Sequence, residues 1–368
     1  MQYKAAVLRE GSPRMEIEDV TLRDLRPDEV LVRLAATGVC HSDIAVRDAV
    51  FPVPRPIILG HEGAGHVERV GAAVKKVAPG DRVVLTYLAC GVCPTCLASE
   101  PAYCRDFGGR NITGLRLDGS SALEQNGVAV GGHFFGQSSF AAYSVANERN
   151  AVKVRSDAPL ELLGPLGCGV QTGAGAVMNA LQAKAGSSLV VSGGGGVGLS
   201  AAMAAVVQGC TKIIVVEPNA GRRKIALQIG ATDVIDPSST KDLPAAIIEL
   251  TGGGADYAVE TSGKTAVAQQ IFSSLAVRGE LALIAFYGLT ATASFGLLDF
   301  IGKGLKVRGV TEGDSRPEEF IPRLLDLHMD GKFPLDRLVK YYEFAAINEA
   351  LEDQESGATI KPIVRMTH

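Results

Sequence analysis

Residues Ser187 to Glu217, SSLVVSGGGGVGLSAAMAAVVQGCTKIIVVE, constrain the fold more than any other stretch of the chain. Leu189 to Val191 is an apolar run containing β-branched residues, the pattern of a buried strand. Gly193, Gly195 and Gly198 follow as G-x-G-x-x-G, with Gly196 and Val197 inside the motif. Leu199 to Val207 is rich in alanine and other helix formers. A second apolar run, Ile213 to Val216, ends in Glu217, nineteen residues after Gly198. Strand, glycine turn, helix, strand and terminal acid in this order are the fingerprint of a dinucleotide-binding unit. The first glycine permits a tight turn, the second lets backbone approach a pyrophosphate, and the third packs helix on strand. The helix N-terminus offers free N–H groups to the phosphates.

The flanking sequence predicts an α/β protein of two domains, since 368 residues are many for one core. Residues 1–35 read as short strands with turns at Gly11-Ser12-Pro13 and Arg26-Pro27-Asp28. A polar cluster, Gly38 to Asp43, follows a strand, and His61 and Glu62 open another. Residues 105–135 are glycine-rich and polar and read as loop. Leu160 to Leu181 is helical, broken at Gly164-Pro165 and Cys168-Gly169. After the glycine unit, helices and strands alternate to about residue 285, which implies a doubly wound parallel sheet. The last segment ends in the strand IKPIVRM and reads as a return to the first, β-rich domain. The expected division is 1–170 with 311–368, and 171–310 for the dinucleotide domain.

The chain carries a net charge of −4 and no basic block, which argues against nucleic acid or an anionic membrane as partner. The N-terminus has no apolar signal core, and no apolar run approaches the roughly 18 residues of a membrane helix. The expected location is cytoplasmic. Four of the seven cysteines, Cys90, Cys93, Cys96 and Cys104, fall within fifteen residues as C-x2-C-x2-C-x7-C. In a reducing compartment such clustering favours a metal over disulfides. Four thiolates with no open position suit structural zinc, while an iron–sulfur cluster would use the same ligand type. Cys40, His61 and Cys168 form a second metal-type set, but they lie far apart and their spacing carries no signal.

Beyond these local readings, the chain resembles the zinc-dependent medium-chain alcohol dehydrogenases over nearly its whole length. The matching pieces are GVCHSD, GHEGAGHV, the four-cysteine loop, GCGVQTG, GGGGVG, VVE and the terminal IKPIV, in the order and spacing of that family. GPLGCGVQTGAGAVMN and GVTEGDSRPEEFIP most resemble its aryl- (benzyl-) alcohol dehydrogenase branch. The resemblance implies a GroES-like catalytic domain beside a Rossmann domain, two zinc ions per chain, NAD as cofactor and assembly into a dimer or tetramer.

By position, the resemblance makes Cys40, His61 and Cys168 ligands of a catalytic zinc, with the carboxylate of Glu62 beside the metal. Asp43 would orient the histidine, and Ser42 would take the alcohol proton. His41 and Lys361 would meet the cofactor pyrophosphate, and Arg222, with Glu217, the adenosine ribose. Thr172 and Val197 would flank the nicotinamide, whose carboxamide would meet backbone of Ile284 and Phe286. Phe51 and Tyr87 would line the substrate passage. Ala45 stands where well-known members carry a histidine that ends the proton relay. The implied reaction is reversible oxidation of a primary alcohol, aromatic or allylic, to its aldehyde. A dehydrogenase acting on a polyol, a terpene or aliphatic alcohol or a glutathione adduct would share every motif. So would a zinc- and nucleotide-binding sensor without turnover, against which the intact Ser42, Cys40, His61 and Cys168 argue.

Overall fold

The computed structural model describes residues 1–367. The chain folds as two units. One comprises Met1–Cys168, Arg316–Met329 and the chain from Val339 onward, and the other Gly169–Ser315 and Asp330–Leu338. The division therefore falls at residues 168 and 315, against the expected 170 and 310, and residues 330–338 group with the second unit.

The first unit is built from β1 (Gln2–Leu8), β2 (Met15–Leu22), β3 (Glu29–Gly38), β4 (Ile57–Ile58), β5 (Glu62–Val70), β6 (Arg82–Leu85), β7 (Leu123–Gln125), β8 (Val128–Val130), β9 (Tyr143–Asn147), β10 (Ala151–Lys153), β17 (Val339–Glu343) and β18 (Lys361–Arg365). One sheet runs β4-β1-β2-β7-β8; the other runs β10-β6-β5-β3-β18-β17, with β9 also on β3. The long β3 organises the second sheet. Along one edge it pairs with β5; along the other it pairs first with β9 (Glu29↔Asn147) and then with β18 (Ile363↔Gly38). Val30, Leu31, Val32 and Leu34 of β3 have no exposed surface, so the strand is buried on both faces. Its C-terminal end delivers Cys40.

Residues 105–135, read as loop, are more ordered than that. They hold a helix, Phe107–Asn111, and the β7–β8 hairpin. The hairpin turns on Asn126 and Gly127, both left-handed at φ 52° and 80°, with Gln125 opposite Val128. Asn-Gly is the pair that such a two-residue turn requires. The strands are only three residues each, too short for an alternating pattern to stand out.

The second unit is built on β11 (Ser188–Ser192), β12 (Lys212–Val216), β13 (Asp233–Ile235), β14 (Ala255–Glu260), β15 (Leu275–Leu283) and β16 (Lys306–Gly309). They form a six-stranded parallel sheet in the order β13-β12-β11-β14-β15-β16. This is the doubly wound dinucleotide-fold order, with the reversal between β11 and β14. Leu189, Val190 and Val191 have no exposed surface; successive side chains point to opposite faces, so both faces are covered. Helices Leu243–Thr251 and Thr265–Ser273 put Leu243, Ile247, Ile271 and Phe272 into one core with Val190, Ile214 and Ala258. The segment read as a broken helix from Leu160 is realised as two 3-10 turns, Leu160–Leu162 and Gly164–Gly167, then an α-helix, Gly169–Gly175, running into a π-turn, Ala176–Ala180. Among the described residues, no helix is long and apolar enough to cross a membrane.

Helix Gly169–Gly175 packs on the helix after the glycine turn, Gly196–Gln208, at Gly173. A Cβ there would lie 1.9 Å from the Val197 carbonyl oxygen. Backbone cannot yield as a flexible side chain can, so Gly173→Ala should lower stability by about 1–3 kcal/mol, the usual range for overpacking. Thermal unfolding followed by circular dichroism should show the lower midpoint.

Candidate active site

Three segments of the first unit converge on one point. Cys40 stands in extended conformation (φ −129°, ψ 158°) as the N-cap of helix His41–Arg47. Asp43, in the first turn of that helix, accepts the Cys40 N–H with Oδ2 at 3.0 Å. Its Oδ1 accepts the Gly60 N–H at 2.9 Å and lies 3.0 Å from His61 Nδ1. Gly60 is left-handed at φ 86°, and a Cβ there would meet the Phe140 ring at 2.5 Å. His61 therefore leads into β5 with its ring fixed on Asp43, and Gln137 Nε2 holds its carbonyl at 2.9 Å. Cys168 follows the turn Gly164–Gly167. That turn passes so close to β5 that a Cβ on Gly164 would lie 2.0 Å from the Glu62 carbonyl. The result is Cys40, His61 and Cys168 with ligand atoms all within 4.8 Å of one another.

The electrostatics of this group fit a metal. Asp43 offers only acceptors to His61, so Nδ1 is the donor and Nε2 carries the lone pair. Nε2 is buried and has no hydrogen-bond partner. A buried acceptor without a partner is unfavourable by about 1–3 kcal/mol unless something else binds it. Cys168 beside it, and then His61, hold the Cys40 thiol well below its ordinary pKa against burial, which favours thiolate. Burial alone would lower the His61 pKa, but the Asp43 charge and hydrogen bond, then Cys40, raise it well above normal; a metal bound at Nε2 would take the place of that second proton, since a histidine ligates only as the neutral ring. Two thiolates and one imidazole supply three of zinc's four positions, the ligand count of a catalytic zinc site. The ring is walled by Phe135, stacked at 4.4 Å, and by Phe134, edge-on at 5.5 Å.

Glu62, expected among the metal residues, is not in this ligand group. Its two carboxylate oxygens each lie 2.9 Å from Lys361 Nζ, which also donates to the Val39 carbonyl at 2.9 Å. Gly38 makes room for it, since a Cβ there would fall 2.0 Å from Oε2. Burial raises the Glu62 pKa, with the Lys361 charge opposing. The Lys361 ammonium, expected at a pyrophosphate, is thus buried and committed to Glu62. Ser42 is half-buried in the first turn of the Cys40 helix, and Ala45 is half-buried on the same helix. His41 is exposed, with Nδ1 3.2 Å from Gln354 Nε2. Phe51 is half-buried against the core. Tyr87 is buried and lines a 430 Å³ cavity with Ala89, Cys96 and Arg149. Its ring lies 5.8 Å from that of Phe107, which meets Phe135 edge-on at 6.2 Å.

The four clustered cysteines are brought together as their spacing implies, with sulfurs within 4.8 Å of one another. Gly91 takes φ 71°, and the N–H groups of Val92 and Cys93 point at Cys90 Sγ from 3.4 and 3.2 Å. The Cys90 N–H points at Cys104 Sγ from 3.3 Å. Backbone donors aimed at sulfur stabilise thiolates. The Thr95 hydroxyl, then backbone donors, bring the Cys93 pKa down to about 5. Closed on all four sides, this lobe fits structural metal.

The second unit carries the glycine turn. Gly193 sits at φ 97°, and a Cβ on Gly198 would lie 1.9 Å from the Gly193 carbonyl. Glu217, 5% exposed at the end of β12, accepts the Gly194 N–H at 2.6 Å and the Asn219 N–H at 2.8 Å. Gly195, Gly196 and Val197 begin the helix and are half-buried. Arg223 donates to the Glu217 and Pro218 carbonyls at 2.8 and 2.7 Å and pairs with Asp236 at 3.1 Å. Arg222 keeps a buried Nε with no hydrogen-bond partner. Thr172 is half-buried, its hydroxyl 3.5 Å from Glu312 Oε2. Ile284 and Phe286 follow β15, the latter 51% exposed. Two positions escape a reading of the sequence. Gln137 carries no motif signal; Glu260, an acid ending an apolar strand just as Glu217 does, offers one.

A closed four-thiolate lobe, an open thiolate–imidazole site and a dinucleotide turn in one chain define a zinc-dependent dehydrogenase. Comparison with known proteins agrees. The alcohol dehydrogenase GroES-like domain family matches residues 26–156, and the zinc-binding dehydrogenase family residues 196–328. Geraniol dehydrogenase of Castellaniella defragrans is 47% identical over 362 residues, 98% of this chain and 97% of that protein. The crystal structure of an alcohol dehydrogenase zinc-binding domain protein from Burkholderia ambifaria superposes with a TM-score of 0.98 at 49% identity, covering 100% of both chains. That of benzyl alcohol dehydrogenase from Acinetobacter calcoaceticus gives 0.96 at 44% identity, again over 100% of both. The chain belongs to the zinc-dependent medium-chain alcohol dehydrogenase family and is an alcohol dehydrogenase.

Because Asp43 sets both the tautomer and the direction of His61, Asp43→Asn should weaken zinc at the three-residue site about 10- to 100-fold. Competition with a chromophoric chelator should show one ion per chain lost early and the four-cysteine ion retained.

Proposed function

We propose that this enzyme carries out the reversible, NAD-linked oxidation of an aromatic or allylic primary alcohol to its aldehyde. The observation that carries the reaction class is the partnerless Nε2 of His61 facing the thiols of Cys40 and Cys168. Zinc held there supplies a Lewis acid that makes a bound alcohol easier to deprotonate. Ser42, in the adjacent helical turn, accepts the alcohol proton. Ala45 offers no base at its own position, so the proton leaves Ser42 by another route. Phe134 and Phe135 pack against the imidazole ring and help hold its plane. On the second unit, the turn from Gly193 to Gly198 receives the pyrophosphate at a helix N-terminus, and NAD supplies the hydride acceptor. Thr172, Val197 and the backbone of Ile284 and Phe286 hold the nicotinamide end. By family position, His41 and Lys361 are assigned to the pyrophosphate and Arg222 to the adenosine ribose.

NAD is favoured over NADP by Glu217. Its carboxylate occupies the strand end where a ribose 2′-hydroxyl would donate and a 2′-phosphate would be repelled. Arg223 is already committed to two carbonyls and Asp236, which leaves it poorly placed to take that phosphate. The substrate class is supported by the similarity to geraniol and benzyl alcohol dehydrogenases. Both alcohols carry an unsaturated carbon beside the carbinol, so their aldehydes are conjugated. Phe51 and Tyr87 give the same class an apolar surface. A homo-oligomer is supported by the open edge of β16 and by helix Leu297–Lys303, which exposes Leu297, Leu298 and Ile301 at 77–81%. Free cysteines in a four-thiolate lobe suit a reducing compartment such as the cytoplasm.

A panel of alcohols with NAD and NADP, read at the absorbance of the reduced cofactor, tests this reading. kcat/KM should be largest for benzyl alcohol and geraniol and larger with NAD than NADP. Ethanol should fall at least about tenfold lower, the scale of a methylene or more missing from an apolar pocket. Failure to reduce either cofactor with any alcohol would favour a non-catalytic sensor. Preference for a glutathione adduct would retain the chemistry and reject the substrate class.

A further inference from the structure

Glu260 closes β14 at its carboxyl end and is fully buried. Ligands of a doubly wound sheet bind beyond the carboxyl ends of its strands. At that place one carboxylate gathers five donors. Oε1 accepts the Ser192 hydroxyl at 3.0 Å, the Ser262 N–H at 2.7 Å and the Ser262 hydroxyl. Oε2 accepts the Tyr287 hydroxyl and the Gly263 N–H, the latter at 3.4 Å. Burial, and then the Glu260 hydrogen bond, raise the Tyr287 pKa, so the phenol stays a donor.

The two ends of this network matter. Ser192 is the last residue of β11 before the glycine turn, and Thr261 reinforces the same corner by donating to the Ser192 and Gly193 carbonyls at 2.7 and 3.2 Å. Tyr287 directly follows Ile284–Phe286. The Ile284 N–H donates to the Glu260 carbonyl at 3.2 Å. Gly263 comes so near that a Cβ would lie 2.9 Å from the Phe286 carbonyl. Neighbouring Phe286 and Leu289 are 51% and 73% exposed, so apolar burial does not anchor this segment. The Tyr287 hydroxyl ties it to the buried Glu260 carboxylate.

We propose that Glu260 and Tyr287 are positioning residues that fix the backbone of Ile284 to Phe286 relative to the glycine turn, so that it can receive the carboxamide of a nicotinamide bound on that turn. The inference rests on the reading of the second unit as an NAD site. A carboxylate that merely satisfied two loop ends would act on the whole site alike; a positioning pair acts on the nicotinamide end alone.

ADP-ribose separates the two, because it keeps the adenosine, pyrophosphate and second ribose and lacks the nicotinamide. Calorimetric titration of Tyr287→Phe should show NADH weakened about tenfold, the scale of losing a hydrogen bond to a charged group, with ADP-ribose within about twofold of wild type. Glu260→Gln should show the same contrast and serves if Tyr287→Phe loses its fold. Equal changes for both ligands, including no change for either, overturn the proposal. Wild-type protein that binds neither ligand overturns the NAD reading beneath it.

Discussion

The hydrogen bond between His61 Nδ1 and Asp43 Oδ1, 3.0 Å long and fully buried, determines what the metal site can be. In the neutral ring it assigns the tautomer and leaves Nε2, buried and without a hydrogen-bond partner, for a metal. Asp43 can hold the imidazole because the Cys40 and Gly60 N–H groups hold its two oxygens. Asp43, in the first turn of the helix bearing Ser42, thus both aims the histidine and fixes the backbone of the first thiolate. The neighbouring Glu62–Lys361 pair obeys the same logic with the opposite outcome. Both charges are buried and satisfy each other, and removing either partner would leave the other uncompensated, a loss of about 3–5 kcal/mol.

Glycine is the other constraint. At Gly38, Gly164 and Gly198 the absent Cβ would meet a Glu62 carboxylate oxygen, the Glu62 carbonyl and the Gly193 carbonyl at 1.9–2.0 Å. The first two let β3 and the turn before Cys168 close on β5, and the third lets the dinucleotide helix close on its turn. Close approach of backbone, more than any single attraction, sets the dimensions of both sites.

Much of this is legible in the sequence where the signal is local. The glycine turn, its two strands and Glu217 lie within one βαβ unit, and the four lobe cysteines within fifteen residues, so spacing alone exposes them. Cys40, His61 and Cys168 are brought together by β3, β5 and a 3-10 turn, contacts that no spacing encodes, and only family resemblance names them. The β7–β8 hairpin escapes although Asn126-Gly127 announces it, because three-residue strands are too short for periodicity to register. Resemblance assigns Lys361 to a pyrophosphate and Tyr87 to a substrate passage; that Lys361 also pairs with Glu62 and that Tyr87 packs beside the cysteine lobe are properties of packing that position in the sequence does not carry. Glu260 ends an apolar strand visibly enough, but its hydrogen-bond network is hidden for a related reason: its five donors come from three separate strand ends.

Zinc K-edge X-ray absorption of the purified protein, with metal quantified on the same sample, tests the central claim that one chain holds a closed four-sulfur centre and an open centre of two sulfurs and one imidazole. The account predicts about two zinc ions per chain and an average of three sulfurs per zinc, six over two ions, at about 2.3 Å, with imidazole nitrogen at about 2.0–2.1 Å. One zinc per chain with four sulfurs and no imidazole signature would contradict it.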